Sequence, residues 1–583
     1  MDEISKVEKR ILQQIENNVP LVDVKIDLSN YLNHMHILDK ENQITHSFHY
    51  ETITEQDCLL MQAPNINESG YYAGIVALKS YIDKYHPDLN VAIIDPVIDY
   101  FYINPPDKQS EFFTMFNTYA NQSQYEHLYT FKEMNDMIEG FVFKYIDKTN
   151  PAFFGLSIID GNIDASLAIA RRVKEAYPHI KILFGGNGIE VLDFGVLPNR
   201  DYTTEKYTFI DVFVKGDGEI TFVELLKSDM SEESLKKIKG IIWRNGDGKL
   251  IHNIPRGNVD MDILPFPDYS SLEDNYYYKS VYQFNVPLVL SRGCPYRCTF
   301  CSVPEFIPVF RYRKLESVID EMEFWINKGR VHFFCHDSII NGDPTWLKKF
   351  CETIIEKGWP EKYGMSFGGN MRLQTPMRDL ETMRLYRKAG LLKMITGFES
   401  ASEPVLKHMK KYPNMKGVRE IFDNVRIINQ ENEWPMKFAM QLIIGYLNET
   451  EEDFQKTVEF VKEYHDCMSE ILTCSGFLIH ETLKQKWVSD GNYLQFHNTV
   501  NFNTNYNTAE ERLDRLNRIE ETFKEIGINH SVYNRGLYYD LLDKSDSKLG
   551  GIYNIDDCKR PEKIKEFNLQ PIPDNGKRSP KLI

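Results

Sequence analysis

The chain has 583 residues, with 68 basic against 85 acidic side chains for a net charge of −17, 13% aromatics and nine cysteines. So few cysteines over such a length exclude a disulfide scaffold, the aromatic content excludes a disordered chain, and the acidic balance argues against a nucleic-acid surface. Charged residues begin at Asp2 and no run of about 18 apolar residues follows, so the expectation is a soluble, cytoplasmic protein with no membrane partner.

A polar helical leader spans 1–50, and from 51 to 225 strands and helices alternate. "DCLLMQAP" has strand length; the polar "NINESGYY" leads to "AGIVALKSYIDKYHP" at helical spacing and then to a second strand, "NVAIIDP". "AFFGLSIID", the helical "DASLAIARRVKEAYP", "KILFGGNG", "DVFVKGDGE" and "ITFVELLKS" continue the pattern. This alternation predicts a doubly wound, Rossmann-like α/β domain built on a parallel sheet. Ligands of such sheets lie beyond the carboxyl ends of the strands, which here carry Asn65, Asp95, Ser157, Gly185, Gly186, Gly216, Gly218 and Glu219. Any one of these glycines serves a tight turn equally well; their recurrence at successive strand ends is what points to a ligand. No loop reads GxGxxG or GxxxxGK[ST], which argues against a dinucleotide or P-loop site.

Residues 226–285 read as a linker, with a hairpin in "GIIWRNGDGKLIHN" and then the proline- and aromatic-rich "LPFPDYSSLEDNYYYK". A second run of βα units covers 286–485, with strands in "VPLVLSRGCP", "RVHFFCHDS", "GMSFGGNMR", "LLKMITGFES" and "MKFAMQLIIGY". It predicts a full or partial (β/α) barrel of TIM type, whose chemistry sits at the C-terminal strand ends. From 486 to 583 the pattern loosens into a mainly helical C-terminal region and a polar tail.

Three cysteines, Cys294, Cys298 and Cys301, fall just after the first barrel strand in "SRGCPYRCTFCSVPEF". A structural zinc site is closed by four ligands, and the fourth would have to come from Cys335, Cys351 or a distant histidine. Three thiolates are better matched to a [4Fe-4S] cluster whose fourth iron is left for a substrate. Cys58, Cys335 and Cys351 lie in apolar stretches and read as small buried hydrophobes.

"CPYRCTFC" resembles the CxxxCxxC signature of radical S-adenosylmethionine (radical SAM) enzymes, including the aromatic Phe300 before the third cysteine. The domain order is similar to the cobalamin-binding radical SAM subfamily: "GLSIIDGN", "ILFGGNG" and "VFVKGDGE" resemble its cobalamin-domain loops, "LPFPDY" its linker and "GFES" its SAM-ribose strand. "IIGYLNETEEDF" resembles a strand and turn usually written with a glycine–proline pair, from which Tyr446, Leu447 and Asn448 depart. The resemblance implies that Cys294, Cys298 and Cys301 each ligate one iron, that SAM chelates the fourth, and that the reduced, oxygen-sensitive cluster cleaves SAM to a 5′-deoxyadenosyl radical. It implies SAM contacts at Phe300, Asp337, Ser338, Arg372, Glu399 and Ser400, and cobalamin at the strand-end residues of the first domain. The axial histidine of a DxHxxG loop is missing, and His86 and His127 lie outside any such motif; the implied corrinoid is base-off. The implied reaction is methylation of an unactivated carbon of a small metabolite or peptide through methylcobalamin, with an electron donor such as flavodoxin or ferredoxin. Cyclisation, epimerisation or rearrangement, with cobalamin in another role or absent, is the alternative.

Overall fold

The computed structural model describes residues 53–63, 73–96, 99, 132–159, 162–189, 206–269, 286–411, 414–432, 434–479, 481–497 and 500–533. The leader, Asn65, His127 and the polar tail lie outside the described residues.

Five short apolar strands, β1 (Cys58–Gln62), β2 (Val91–Ile93), β3 (Phe153–Ser157), β4 (Lys181–Gly185) and β5 (Val212–Val214), run parallel in the order β2-β1-β3-β4-β5. Both faces are covered, so the strands are apolar throughout rather than alternating: Cys58 and Leu60 enter one core, Leu59 and Met61 the other. Helices α1 (Ala73–Tyr85), α2 (Ile163–Ala176) and α3 (Glu219–Leu226) make crossovers or pack on the faces. This strand order places the topological switch between β1 and β3, the point at which doubly wound sheets bind ligands.

The hairpin read in the linker joins this sheet. β6 (Ile241–Arg244) pairs antiparallel with β5, and β7 (Leu250–His252) with β6. Ile241, Ile242 and Trp243 are buried, and the indole N–H of Trp243 donates to Asn253 Oδ1 at 3.0 Å. The hairpin thereby covers the β5 edge, which would otherwise expose unpaired backbone groups.

The second sheet holds β8 (Val286–Leu288), β11 (His332–Cys335), β12 (Ser366–Asn370), β13 (Leu391–Glu399), β14 (Lys437–Ile444), β15 (Met468–Gly476) and β18 (Asn529–Tyr533), all parallel and in chain order. Chain-order neighbours are the mark of a β/α barrel; among the described residues β8 and β18 pair with no further strand, so the described strands form a partial barrel. Its inner face is filled by Phe334, Ile395, Ala439 and Leu472. Two residues earlier on their strands, His332 Nδ1 meets Ser366 Oγ at 2.8 Å and Lys393 pairs with Glu470 at 2.9 Å, a polar layer nearer the N-terminal strand ends.

Outside run α4 (Leu315–Asn327), α5 (Pro344–Glu356), α6 (Leu380–Lys388), α7 (Met415–Glu431) and α8 (Glu451–Tyr464). Their starts are written in the sequence. Asp343 accepts from the Thr345 and Trp346 amides ahead of α5, and Thr450 and Asp453 form a reciprocal capping box on α8, each cap contributing about 1 kcal/mol. Beyond β15 come α9 (Glu481–Ser489), the small pair β16 (Gln495–Phe496) and β17 (Phe502–Asn503), and α10 (Ala509–Glu525). One hydrophobic core runs without a break from Cys58 of the first sheet through Trp325 and Phe367 to Phe523 of α10.

Candidate active site

The short strands β9 (Ser291–Arg292) and β10 (Arg311–Tyr312) pair antiparallel and carry the cysteine loop between them. Gly293 starts the loop with φ +85°, and a Cβ there would lie 2.8 Å from the Val309 carbonyl oxygen. Only glycine passes the chain from Arg292 to Cys294 in that space. Cys294, Cys298 and Cys301 are partly exposed, whereas Cys58, Cys335, Cys351, Cys467 and Cys474 are all buried. The Cys301 amide donates to the Cys298 carbonyl at 3.1 Å, and the Thr299 amide to that of Met409 at 3.1 Å, which ties the loop to the segment after β13. Burial raises the Cys294 thiol above its ordinary value and pushes Cys301 up to about 11, so a metal held here would have to displace protons.

Charge surrounds the thiols. Arg372, beyond β12, places Nη1 3.3 Å from Cys298 Sγ, stands 4.1 Å from the Tyr296 ring centroid and donates from Nη2 to the Lys411 carbonyl. Its own backbone is held in both directions by Asn341. Glu399, at the end of β13, has φ +68°, a conformation that costs a non-glycine residue about 1–2 kcal/mol and concentrates at functional sites. Its buried carboxylate pairs with Lys411, whose ammonium lies 5.2 Å from the Phe300 ring centroid. Gly397 makes room for that pair: a Cβ would sit 2.3 Å from Glu399 Oε1.

The remaining expected SAM contacts lie differently. Asp337 is buried and accepts from the Leu290 amide at 3.0 Å, the Ser291 amide, and Ser291 Oγ at 2.6 Å, stitching the end of β11 to β9; burial pushes its carboxyl up to about 7. Ser338 is exposed. Ser400 is buried, with its hydroxyl 3.3 Å from Thr457 Oγ1 of α8.

At the first sheet, Ser157 ends β3 and is half-buried, and Asp95, buried, follows β2. Gly185 ends β4, and Gly186 has φ +102° with only 2.5 Å from an added Cβ to the Ile158 carbonyl oxygen. Gly216 has φ +77°, and Gly218 precedes α3. One oxygen of Glu219 accepts from Arg292 at 2.6 Å; the other is buried without a hydrogen-bond partner among the described residues.

The Radical SAM superfamily model matches residues 288–461, from β8 into α8. The chain carries a radical SAM domain. The anaerobic magnesium-protoporphyrin IX monomethyl ester cyclase of Cereibacter sphaeroides is 31% identical over 263 residues, 43% of this chain and 41% of the cyclase. The bacteriochlorophyllide d C-12(1)-methyltransferase of Chlorobaculum tepidum is 27% identical over 209 residues, 35% of this chain and 42% of that enzyme. The chain spans between 41% and 58% of the length of the three cyclases it matches. Among solved structures, the radical SAM methyltransferase TsrM of Kitasatospora setae, with tryptophan and a SAM analogue bound, aligns at TM-score 0.53 and 16% identity over 72% of this chain and 73% of that one. The cobalamin-dependent radical enzyme OxsB, with aqua-cobalamin and SAM bound, aligns at TM-score 0.51 and 18% identity over 72% of this chain and 53% of that one. These likenesses show a common α/β fold built on parallel strands.

Three side chains of the radical SAM domain escaped sequence reasoning. Lys411 sits in the charged run "LKHMKK", which reads as a solvated face. Tyr296, under Arg372, also donates to Gln374 Oε1 at 2.6 Å. Tyr446 was visible only as a departure from the glycine–proline pattern; it is buried, its hydroxyl 2.7 Å from Thr299 Oγ1 and 3.2 Å from His408 Nδ1. No helix among the described residues is long and apolar enough to cross a membrane.

Proposed function

We propose that this radical SAM enzyme holds a [4Fe-4S] cluster on Cys294, Cys298 and Cys301, SAM against Arg372, Glu399 and Phe300, and cobalamin at the strand ends of the first sheet, and that it methylates an unactivated carbon of a small metabolite or peptide. The observation that carries the reading is the exposure of these three thiols, alone among the described cysteines, beside a guanidinium at the C-terminal ends of a parallel barrel. The residues present fit the groups. Among the described residues no three His, Cys, Asp or Glu side chains converge as a lone ion requires, whereas a four-iron cluster would take each of the three thiolates on a different iron. At the first sheet, the switch between β1 and β3 and the Glu219 oxygen without a hydrogen-bond partner among the described residues suit a ligand with hydrogen-bond donors.

When bound, the reduced cluster supplies the electron that breaks a carbon–sulfur bond of SAM, and cobalamin supplies the methyl carrier. The chain's residues bind and orient. Arg372 offers a fixed fork of donors suited to the SAM carboxylate while touching Cys298. Glu399, held by Lys411, offers a carboxylate oxygen to ribose hydroxyls or the SAM ammonium. Phe300 presents its backbone to the adenine, and Ser157, Gly185 and Gly186 line the corrinoid side. Asp337 acts one step back by fixing the β8–β9 turn, and Ser338 and Ser400 are weaker SAM contacts, as are Asp95, Gly216 and Gly218 for cobalamin. An electron donor such as flavodoxin or ferredoxin completes the system.

The cyclase relatives favour a second reading, ring formation or rearrangement without net methyl transfer. Both are tested by anaerobic reconstitution with iron, sulfide, cobalamin, reductant and SAM, followed by mass spectrometry. 5′-Deoxyadenosine together with S-adenosylhomocysteine supports the methyltransferase; deoxyadenosine alone favours the second reading. Iron retained after replacement of Cys294, Cys298 and Cys301 by alanine would sink the cluster assignment.

A further inference from the structure

At the junction of the two sheets Arg292, Arg311 and Asp217, which take no part in the proposed function, meet Glu219, whose second oxygen does. Arg292 bridges two carboxylates at the turn from β5 into α3, donating from Nη1 to Asp217 Oδ1 at 2.8 Å and from Nη2 to Glu219 Oε1 at 2.6 Å. Arg311, its register partner across β9 and β10, takes the other oxygen of Asp217 and donates to Asn258 Oδ1 at 3.1 Å. The Val259 amide closes the group on Asp217 at 2.8 Å. Side-chain exposure is 22% for Arg292, 16% for Arg311, 12% for Asp217 and 4% for Glu219, so this is not a solvated surface pair of little consequence. A guanidinium forked between two carboxylates is geometrically exacting and charge-assisted.

The two ends of this strap are what matter. Asp217 and Glu219 flank Gly218 at the C-terminal edge of the first sheet, where the free oxygen of Glu219 also lies. Arg292 is separated from Cys294 by Gly293 alone, and Gly293 is wedged against the Val309 and Ile307 carbonyls. The strap therefore ties the 216–219 turn to the residue two before the first thiol.

We propose that Arg292 is a positioning residue that links occupancy of the strand ends of the first sheet to the placement of the three thiols. The linkage is reciprocal, and it rests on the proposed function only for the identity of the two ligands.

The test is the rate at which iodoacetamide alkylates Cys294, Cys298 and Cys301 in the full-length, chelator-treated protein, followed by peptide mass spectrometry, with buried Cys58 as the control for folding. Arg292→Gln should speed alkylation roughly fivefold, the lower end of ordinary coupling, while Cys58 stays protected. Arg292→Lys, which keeps the charge but not the fork, should fall between. Glu219→Gln combined with Arg292→Gln should add nothing to Arg292→Gln alone. Hydroxocobalamin should slow alkylation of the wild type and leave Arg292→Gln unaffected. Wild-type rates in Arg292→Gln, or bound hydroxocobalamin without effect on the wild type, would overturn the proposal. Iron uptake by the wild type is scored separately: its absence sinks the cluster reading, and the alkylation rates still decide the strap.

Discussion

Arg372 combines a contact to a cysteine sulfur, a stacked aromatic ring and two backbone carbonyls, which no ammonium can reproduce. Arg372→Lys should retain iron but bind SAM about tenfold more weakly, as measured by anaerobic equilibrium dialysis; unchanged affinity would confine the guanidinium to shaping the loop. Asp337 gives a pH signature. Its carboxyl ordinarily titrates near 3.8 and burial raises it to about 7 in the fold, so the native state binds more protons than the unfolded one between these values. Its stabilising contribution is complete below about 3.8 and lost as pH rises through about 7. Glu449, likewise pushed up to about 7 by burial, acts in the same direction. The urea midpoint should fall from pH 5 to 8, and the fall should be shallower in Asp337→Asn; an unaltered slope would remove Asp337 as its source.

At the scale of elements, α10 locks the turn after β14. Arg512 donates to Asn507 Oδ1 at 2.5 Å and to the Val500 and Phe502 carbonyls, and Arg515 reaches Glu449. Gly445 leaves the space for this with φ +76°; a Cβ would fall 2.0 Å from Arg512 Cγ. Gly445→Ala should therefore cost about 2–4 kcal/mol, read as a lowered urea midpoint with an unchanged slope. The sequence discloses elements unevenly, for physical reasons. β1 to β5 are legible because burial on both faces demands nearly continuous apolar runs, and β11, β13 and β14 because apolar residues still dominate them. β15, "MSEILTCSG", and β18, "NHSVY", mix polar residues into strands whose pairing comes from the sheet rather than from local sequence. The β6–β7 hairpin is legible as a hairpin, but its docking on β5 is a non-local pairing. The thiols announce themselves by spacing, whereas Lys411 and Arg292 are charged residues whose burial depends on distant partners.

For the whole molecule, the segment after β15 is integral to the second sheet. β18 covers the edge of β15, and Phe523 and Ile519 of α10 are buried in the common core. A chain ending at residue 485 should expose that edge and aggregate, visible as a shift of the size-exclusion peak to the void volume; a truncation that elutes like a folded protein of its size would show that the sheet closes without β18. The chain-order arrangement of the second sheet also bears on how the protein is made. From β8 to β15 every strand leaving the ribosome finds its neighbour already emerged, so the sheet can grow along one edge at the pace of translation. β18 breaks that rhythm, because β16, β17 and α10 must emerge before it. During that interval the nascent chain presents the long edge of β15, the stretch at which a stalled ribosome would most need a chaperone.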